Sequence, residues 1–92
     1  MKSIIQKDKR CYLCGSTIGL EEHHIYMGNP LRQISEKWGF KVFLCSLCHR
    51  DNKRGAHGNR NIDLKLKQDC QRKFEEKHSR EEFIKLIGRN YL

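Results

Sequence analysis

Cys11-Tyr12-Leu13-Cys14, Glu21-Glu22-His23-His24-Ile25 and Cys45-Ser46-Leu47-Cys48-His49 are the stretches that decide how this chain folds. Two Cys-x-x-Cys pairs put four thiols on two tight turns, the spacing of a tetrathiolate zinc site built from two knuckles. Such a shell is closed: four thiolates leave zinc no position for water. Cys11, Cys14, Cys45 and Cys48 are therefore assigned to a structural Zn2+ and not to catalysis. The doubled histidine between the pairs, and His49 just after them, are imidazoles this zinc does not need. They point to a second metal, one that does chemistry.

A chain of 92 residues is expected to form a single domain, 1–92, with a marginal core. Domains of that size commonly need a metal, a disulfide or a partner. The cysteine count is odd, and the polar, basic start over residues 1–10 carries no hydrophobic signal segment. Both features lead us to expect a reducing, cytoplasmic setting, where paired cysteines bind zinc instead of oxidising. No apolar run approaches membrane-spanning length. Nineteen Lys and Arg against eleven Asp and Glu give a net charge of +8. That balance suits a polyanionic partner, since basic surface attracts phosphate backbones whatever their sequence. It narrows the class of partner without naming an activity.

Periodicity sketches the elements. Residues 1–10 form a basic arm, loose or briefly helical. Leu20 to Ile25 is a short strand that carries the doubled histidine to its end. Asn29-Pro30 starts a helix, continued by Leu31, Ile34 and Trp38 at helical spacing and stopped by Gly39. Trp38 belongs to the core by that spacing. Phe40 to Leu44 is a second strand leading into the second knuckle. Residues 51–61, rich in Gly, Asn and basic side chains, form a loop or a broken helix. Ile62, Leu66, Cys70 and Phe74 then fall on one apolar stripe, which makes Cys70 a core residue. Lys65, Lys67, Arg72 and Lys73 lie opposite and either follow a nucleic-acid backbone or keep the helix solvated. His78 sits where a helix C-terminus favours it. Ser79-Arg80-Glu81-Glu82 is a capping box opening a last helix, with Phe83, Ile84 and Ile87 inward and Gly88 at its end.

Glu21 to Ile25 taken with Leu44 to His49 resembles the HNH endonucleases, whose fold is the ββα-metal or His-Me finger. The likeness is nearest to the small zinc-containing HNH proteins of bacteriophages and covers roughly Cys11 to Asn61. It implies an α+β fold: a small zinc-stapled finger over 11–61, with flanking helices and a helical C-terminal third over 62–92. By resemblance, His23 is the first ligand of a divalent ion and His24 the general base. Glu21 matches a carboxylate that orients its neighbours. His49, placed to open the finger's short helix, is another ligand. Gly55-Ala56-His57-Gly58-Asn59 matches a Gly-His-Gly-type segment of the phage proteins, which makes His57 the third. The implied ion is magnesium or manganese, with zinc or nickel also bound by some members.

The chain departs from that family at two positions. The middle Asn, nine residues before the ligand histidine, is Phe40 here, so the loop needs support from elsewhere, for which Asn29 is a candidate. The residue four after His49, a ligand in many members, is Lys53.

The expectation is a metal-dependent DNA endonuclease, of phage origin and acting in the bacterial host cytoplasm, with little sequence preference of its own. Arg50, Arg54 and Arg60 are its phosphate contacts or, alternatively, a solvated basic loop. Two alternatives stay open: a zinc-stapled module that holds nucleic acid without cutting it, and a factor that docks on a packaging or host-defence protein.

Overall fold

Strand β1 (Leu20–His24) pairs antiparallel with β2 (Lys41–Cys45), with His23 opposite Val42 and His24 opposite Lys41, in a computed structural model that describes residues 2–92. Side chains alternate across a strand. His23 and Glu21 therefore share one face of the sheet, and Glu22 and His24 the other. The alternation sends the adjacent histidines to different surroundings.

Helix α1 (Leu31–Trp38) lies on the connection between the strands, and α2 (Ser46–Arg50) follows β2 directly, with Cys45 at its N-cap. Long helix α3 (Arg60–Phe74) and short helix α4 (Arg80–Ile87) complete an α+β arrangement of a two-stranded sheet and four helices. Pro30 occupies the N-cap of α1, one residue outside the expected first turn. Ser35, the buried residue of α1, ties the loop that follows β1: its Oγ donates to Tyr26 O at 2.8 Å and accepts from Tyr26 N at 3.2 Å. Asn29, the candidate for that support, makes no side-chain hydrogen bond among the described residues; a serine one helical turn inside α1 does the tying.

The core is aromatic. Phe40, Tyr26 and Phe83 are fully buried, with Phe74 beside them. Trp38 closes the rim edge-on to Phe74, at 5.9 Å between ring centroids. Phe40, at the family's Asn position, is thus a central packing residue with no polar role. On α3, Leu66, Cys70 and Phe74 face inward as the stripe predicts. Burial pushes the Cys70 thiol up to about 12, so it stays protonated. Gln71 is buried among them, its amide bonded to Glu75, Asn90 and the Tyr91 amide, which pins the C-terminal tail.

The capping box of α4 is present in both directions, Glu82 N to Ser79 Oγ at 3.0 Å and Ser79 N to Glu82 Oε1 at 3.2 Å. Phe83 and Ile87 point inward, but Ile84 is 40% exposed. One residue is a rotation of about 100° on a helix, so 83 and 87 share a face that 84 leaves. His78 stacks on Phe74, with centroids 4.5 Å apart, and its Nδ1 meets Glu82 at 3.2 Å.

The basic arm is neither helical nor loose. Ile4 N donates to Gly39 O at 3.0 Å and Phe43 N to Gln6 Oε1 at 2.7 Å, while Ile4 and Ile5 pack on the core. A two-stranded sheet leaves an edge of unpaired backbone groups, and residues 3–6 cover part of it. No helix of the described residues is long and apolar enough to cross a membrane.

Candidate metal centres

The two knuckles converge. The first is the turn after Cys11, closed by Gly15 N to Cys11 O at 2.9 Å and fixed to the sheet by Tyr12 N to Phe43 O at 2.8 Å. The second runs from the end of β2 into α2. The sulfurs of Cys11, Cys14, Cys45 and Cys48 lie within 4.8 Å of one another, with Cys14 and Cys45 3.6 Å apart. Sulfurs about 2.3 Å from one tetrahedral zinc stand about 3.8 Å apart, so the four could hold a structural zinc with little movement. The Cys14 amide points at Cys11 Sγ from 3.5 Å. Burial works against the Cys11 thiolate, but amides of Cys45, Cys14 and Leu13 outweigh it and bring the thiol down to about 6. Burial, then the thiols of Cys45, Cys11 and Cys14, push Cys48 up. One anion is stabilised and the next resisted, the behaviour of thiols crowded around a place for a cation.

A second group forms around His49, the residue that follows Cys48 on α2. Nitrogens of His23, His49 and His57 lie within 4.8 Å of one another, and these three and the four cysteines are the two such groups among the described residues. Each histidine comes from a different element. His23 is the last residue but one of β1; His49 sits in the last turn of α2, not at its opening. His57 comes from the loop before α3, which folds back through Ala56 N to Cys48 O at 2.8 Å and His57 N to His49 O at 3.3 Å. The glycines on either side of His57 make that return possible. A Cβ at Gly55 would stand 2.6 Å from Asp51 backbone, and one at Gly58 2.4 Å from Asn52 Cα.

The rings face one another, His23 at 5.1 Å from both His49 and His57 by centroid. His49 Nε2 and His57 Nε2 are 2.9 Å apart. Nitrogens about 2.1 Å from one ion are about 3 Å apart when their bonds meet at right angles, so this spacing fits two ligands of one cation. Glu21 Oε1 accepts from His49 Nδ1 at 2.7 Å and is itself held by Arg50 Nε at 3.1 Å. With its proton on Nδ1, His49 turns an Nε2 lone pair toward the other two rings. The His49 hydrogen bond, with Arg50 adding, holds the Glu21 carboxyl below its usual range.

His23 is 1% exposed, and its Nε2 is buried with no hydrogen-bond partner. A buried unpaired nitrogen costs on the order of 1–3 kcal/mol, and a metal ion would remove that cost. Burial, then His49 and His57, bring His23 down to about 3. Burial and His49 also lower His57. Neutral rings are what a metal requires of histidine. The residues present fit a divalent ion.

His24, on the opposite face of the sheet, joins the trio at an open depression of about 300 Å³ lined by Glu22, His23, His24, Met27, Arg32, His49 and His57. Its Nε2 is buried without a hydrogen-bond partner, with Glu36 Oε1 of α1 at 3.5 Å as a charge contact. Lys41 is buried beside it, pairing with Glu22 at 3.0 Å and with Glu36 more tightly. Arg50 stands next to the trio through Glu21, whereas Arg54 and Arg60 are exposed and do not line the depression. Arg32, Glu36 and Lys41 escaped sequence reading. Arg32 and Glu36 sit on a helix whose apolar spacing draws the attention, and Lys41 looks like an outward strand residue.

Comparison with protein families, with curated proteins and with solved structures gave no match. The reading of this site rests on its own geometry.

Proposed function

We propose that this chain is a metal-dependent DNA endonuclease of the HNH type, in which β1, β2 and α2 form the ββα-metal finger and α1 is carried on the connection between the strands. One observation carries the reading: three imidazoles converge beside a fourth, His24, at the same open depression. The ligands would be His23, His49 and His57, with Glu21 orienting His49. A divalent ion there would stabilise charge at the scissile phosphate and the departing 3′ oxygen. Imidazole nitrogens suit zinc or nickel better than manganese, and all three better than magnesium, which prefers oxygen. His24 takes the proton of the attacking water as general base, leaving 5′-phosphate and 3′-hydroxyl ends.

The distribution of positive charge supports a nucleic-acid partner. On α3, Lys65, Lys67, Arg72 and Lys73 are matched by Asp69, Asp63, Asp69 and Glu76. They keep that helix solvated and carry less uncompensated charge toward phosphate. Arg32, Lys53, Arg54 and Arg60, by contrast, make no ion pair among the described residues. Arg32 stands on the wall of the depression and would meet the phosphate itself. The others extend the basic surface and position the backbone without reading sequence.

Burial of Phe40, where the family's Asn would aim the base, favours the rival reading of a module that holds DNA without cutting it. Supercoiled plasmid with manganese separates the two. The parent nicks it, and His24→Ala loses cleavage by at least about 100-fold while still retarding DNA. Equal cleavage by both proteins removes His24 from the chemistry; retardation without cleavage under manganese, nickel, zinc and magnesium leaves the binding module.

A further inference from the structure

We infer that Glu36 is the positioning residue for His24, that buried Lys41 fixes it in place, and that the reacting nitrogen of His24 is therefore Nδ1. This rests on the hydrolytic reading above and names the device that aims its base. The loop after β1 has no polar side chain for that task, since Phe40 is fully buried and Asn29 makes no side-chain hydrogen bond among the described residues. Glu36 Oε1 is the carboxylate oxygen within 4 Å of the His24 ring among the described residues, 3.5 Å from an Nε2 that is buried and makes no hydrogen bond, so the contact is one of charge that a small approach would turn into a bond.

The placement is built by register. His24 and Lys41 are directly opposite in the sheet, so both side chains rise from the same face, with Glu22 two residues along. Helix α1 lies over that face, locked by Ser35, and presents Glu36 from the next position. Lys41 keeps 5% of its side chain exposed. An ammonium so covered needs compensating carboxylates, and it has two, Glu22 and Glu36. The Lys41 contact holds the Glu36 carboxyl below its usual range, so Glu36 stays ionised.

An ionised carboxylate only accepts, so the ring nitrogen facing it carries the proton. His24 with hydrogen on Nε2 keeps its lone pair on Nδ1, which is not among the buried, unpartnered atoms. In the hydrolytic step, the water oxygen bonds to phosphorus as its proton passes to Nδ1. The bond from phosphorus to the 3′ oxygen breaks with its electron pair, and that oxygen takes a proton from solvent. Glu36 then faces an imidazolium, which returns its proton to solvent.

The test uses zinc-loaded protein. Ring ¹⁵N shifts of His24 are measured in the parent, Glu36→Gln and Lys41→Met, followed by kcat and KM for plasmid nicking with manganese. The expected result is a parent His24 protonated on Nε2 and mixed tautomers in Glu36→Gln. For that variant kcat falls about 10- to 100-fold while KM stays within about twofold. Lys41→Met follows in the same direction if it folds; Glu36→Gln, an exposed and isosteric change, keeps the question open to measurement if it does not. A parent His24 protonated on Nδ1, or a Glu36→Gln protein with unchanged tautomer and unchanged kcat, overturns the inference. A parent that cuts no DNA with any ion defeats the endonuclease reading alone, because the tautomer comparison still decides what Glu36 does to His24.

Discussion

At the scale of single residues, position 40 shows how a motif and a core compete for one site. The buried Phe40 ring packs against Tyr26 and Phe74, with centroids at 5.4 and 5.8 Å. Phe40→Asn, which installs the residue the HNH endonucleases carry at the matching position, therefore puts an amide where a ring was. It should cost about 4 kcal/mol in urea unfolding and bring no gain in cleavage. A stable Phe40→Asn protein would mean this ring is not central to the core. Glu21 works differently, since its contact is with His49, one of the three proposed ligands. Glu21→Gln should weaken a second ion about 10- to 100-fold in a manganese titration and leave zinc content unchanged. The cysteine cluster was legible because Cys-x-x-Cys is a short-range pattern whose spacing states the geometry, whereas His49 and His57 were placed beside His23 only through resemblance. Arg32, Glu36 and Lys41 were not legible. Their roles arise from strand register and from where α1 crosses, and neither is written in neighbouring letters.

Among the elements, α1 and α4 are each held by one serine, in different ways. Ser35 serves both the amide and the carbonyl of Tyr26 from a fully buried position, so Ser35→Ala leaves two backbone groups unpaired. A loss of about 1–3 kcal/mol is expected in chemical denaturation, with weaker cleavage because the loop after His24 shifts. Ser79 caps α4 from the surface, and Ser79→Ala should lose about 1 kcal/mol with the site untouched. The Ser79 amide, then His78, holds the Glu82 carboxyl below its ordinary value of 4.5. A depressed carboxyl stabilises above its unfolded value and stops doing so as pH falls through the folded one. The stability gap between parent and Glu82→Gln should thus be present at neutral pH and close in acid. Helix stripes, the cap and both strands were readable because apolar spacing and capping chemistry are local. The docking of residues 3–6 on β2 was not, since a polar arm carries no periodic signal and its bonds are to backbone.

For the whole molecule, a small core and a surplus of positive charge set the terms. A zinc held by Cys11, Cys14, Cys45 and Cys48 would join the first knuckle to the sheet and α2, and such a site contributes on the order of 10 kcal/mol to folding. Chelation should accordingly abolish cooperative unfolding followed by circular dichroism, and survival of the transition would put the staple elsewhere. With Lys65, Lys67, Arg72 and Lys73 of α3 already paired, DNA binding should depend on Arg60 and the surface around the imidazoles and weaken steeply with salt. The measurement that bears most directly on the account is a metal count by mass spectrometry on protein dialysed against manganese or nickel, in parent and in His23→Ala. One tightly held zinc in both, and one further ion in the parent alone, is the result expected. A parent that holds zinc and nothing more would contradict it, leaving three facing imidazoles without the ion on which the proposed chemistry depends.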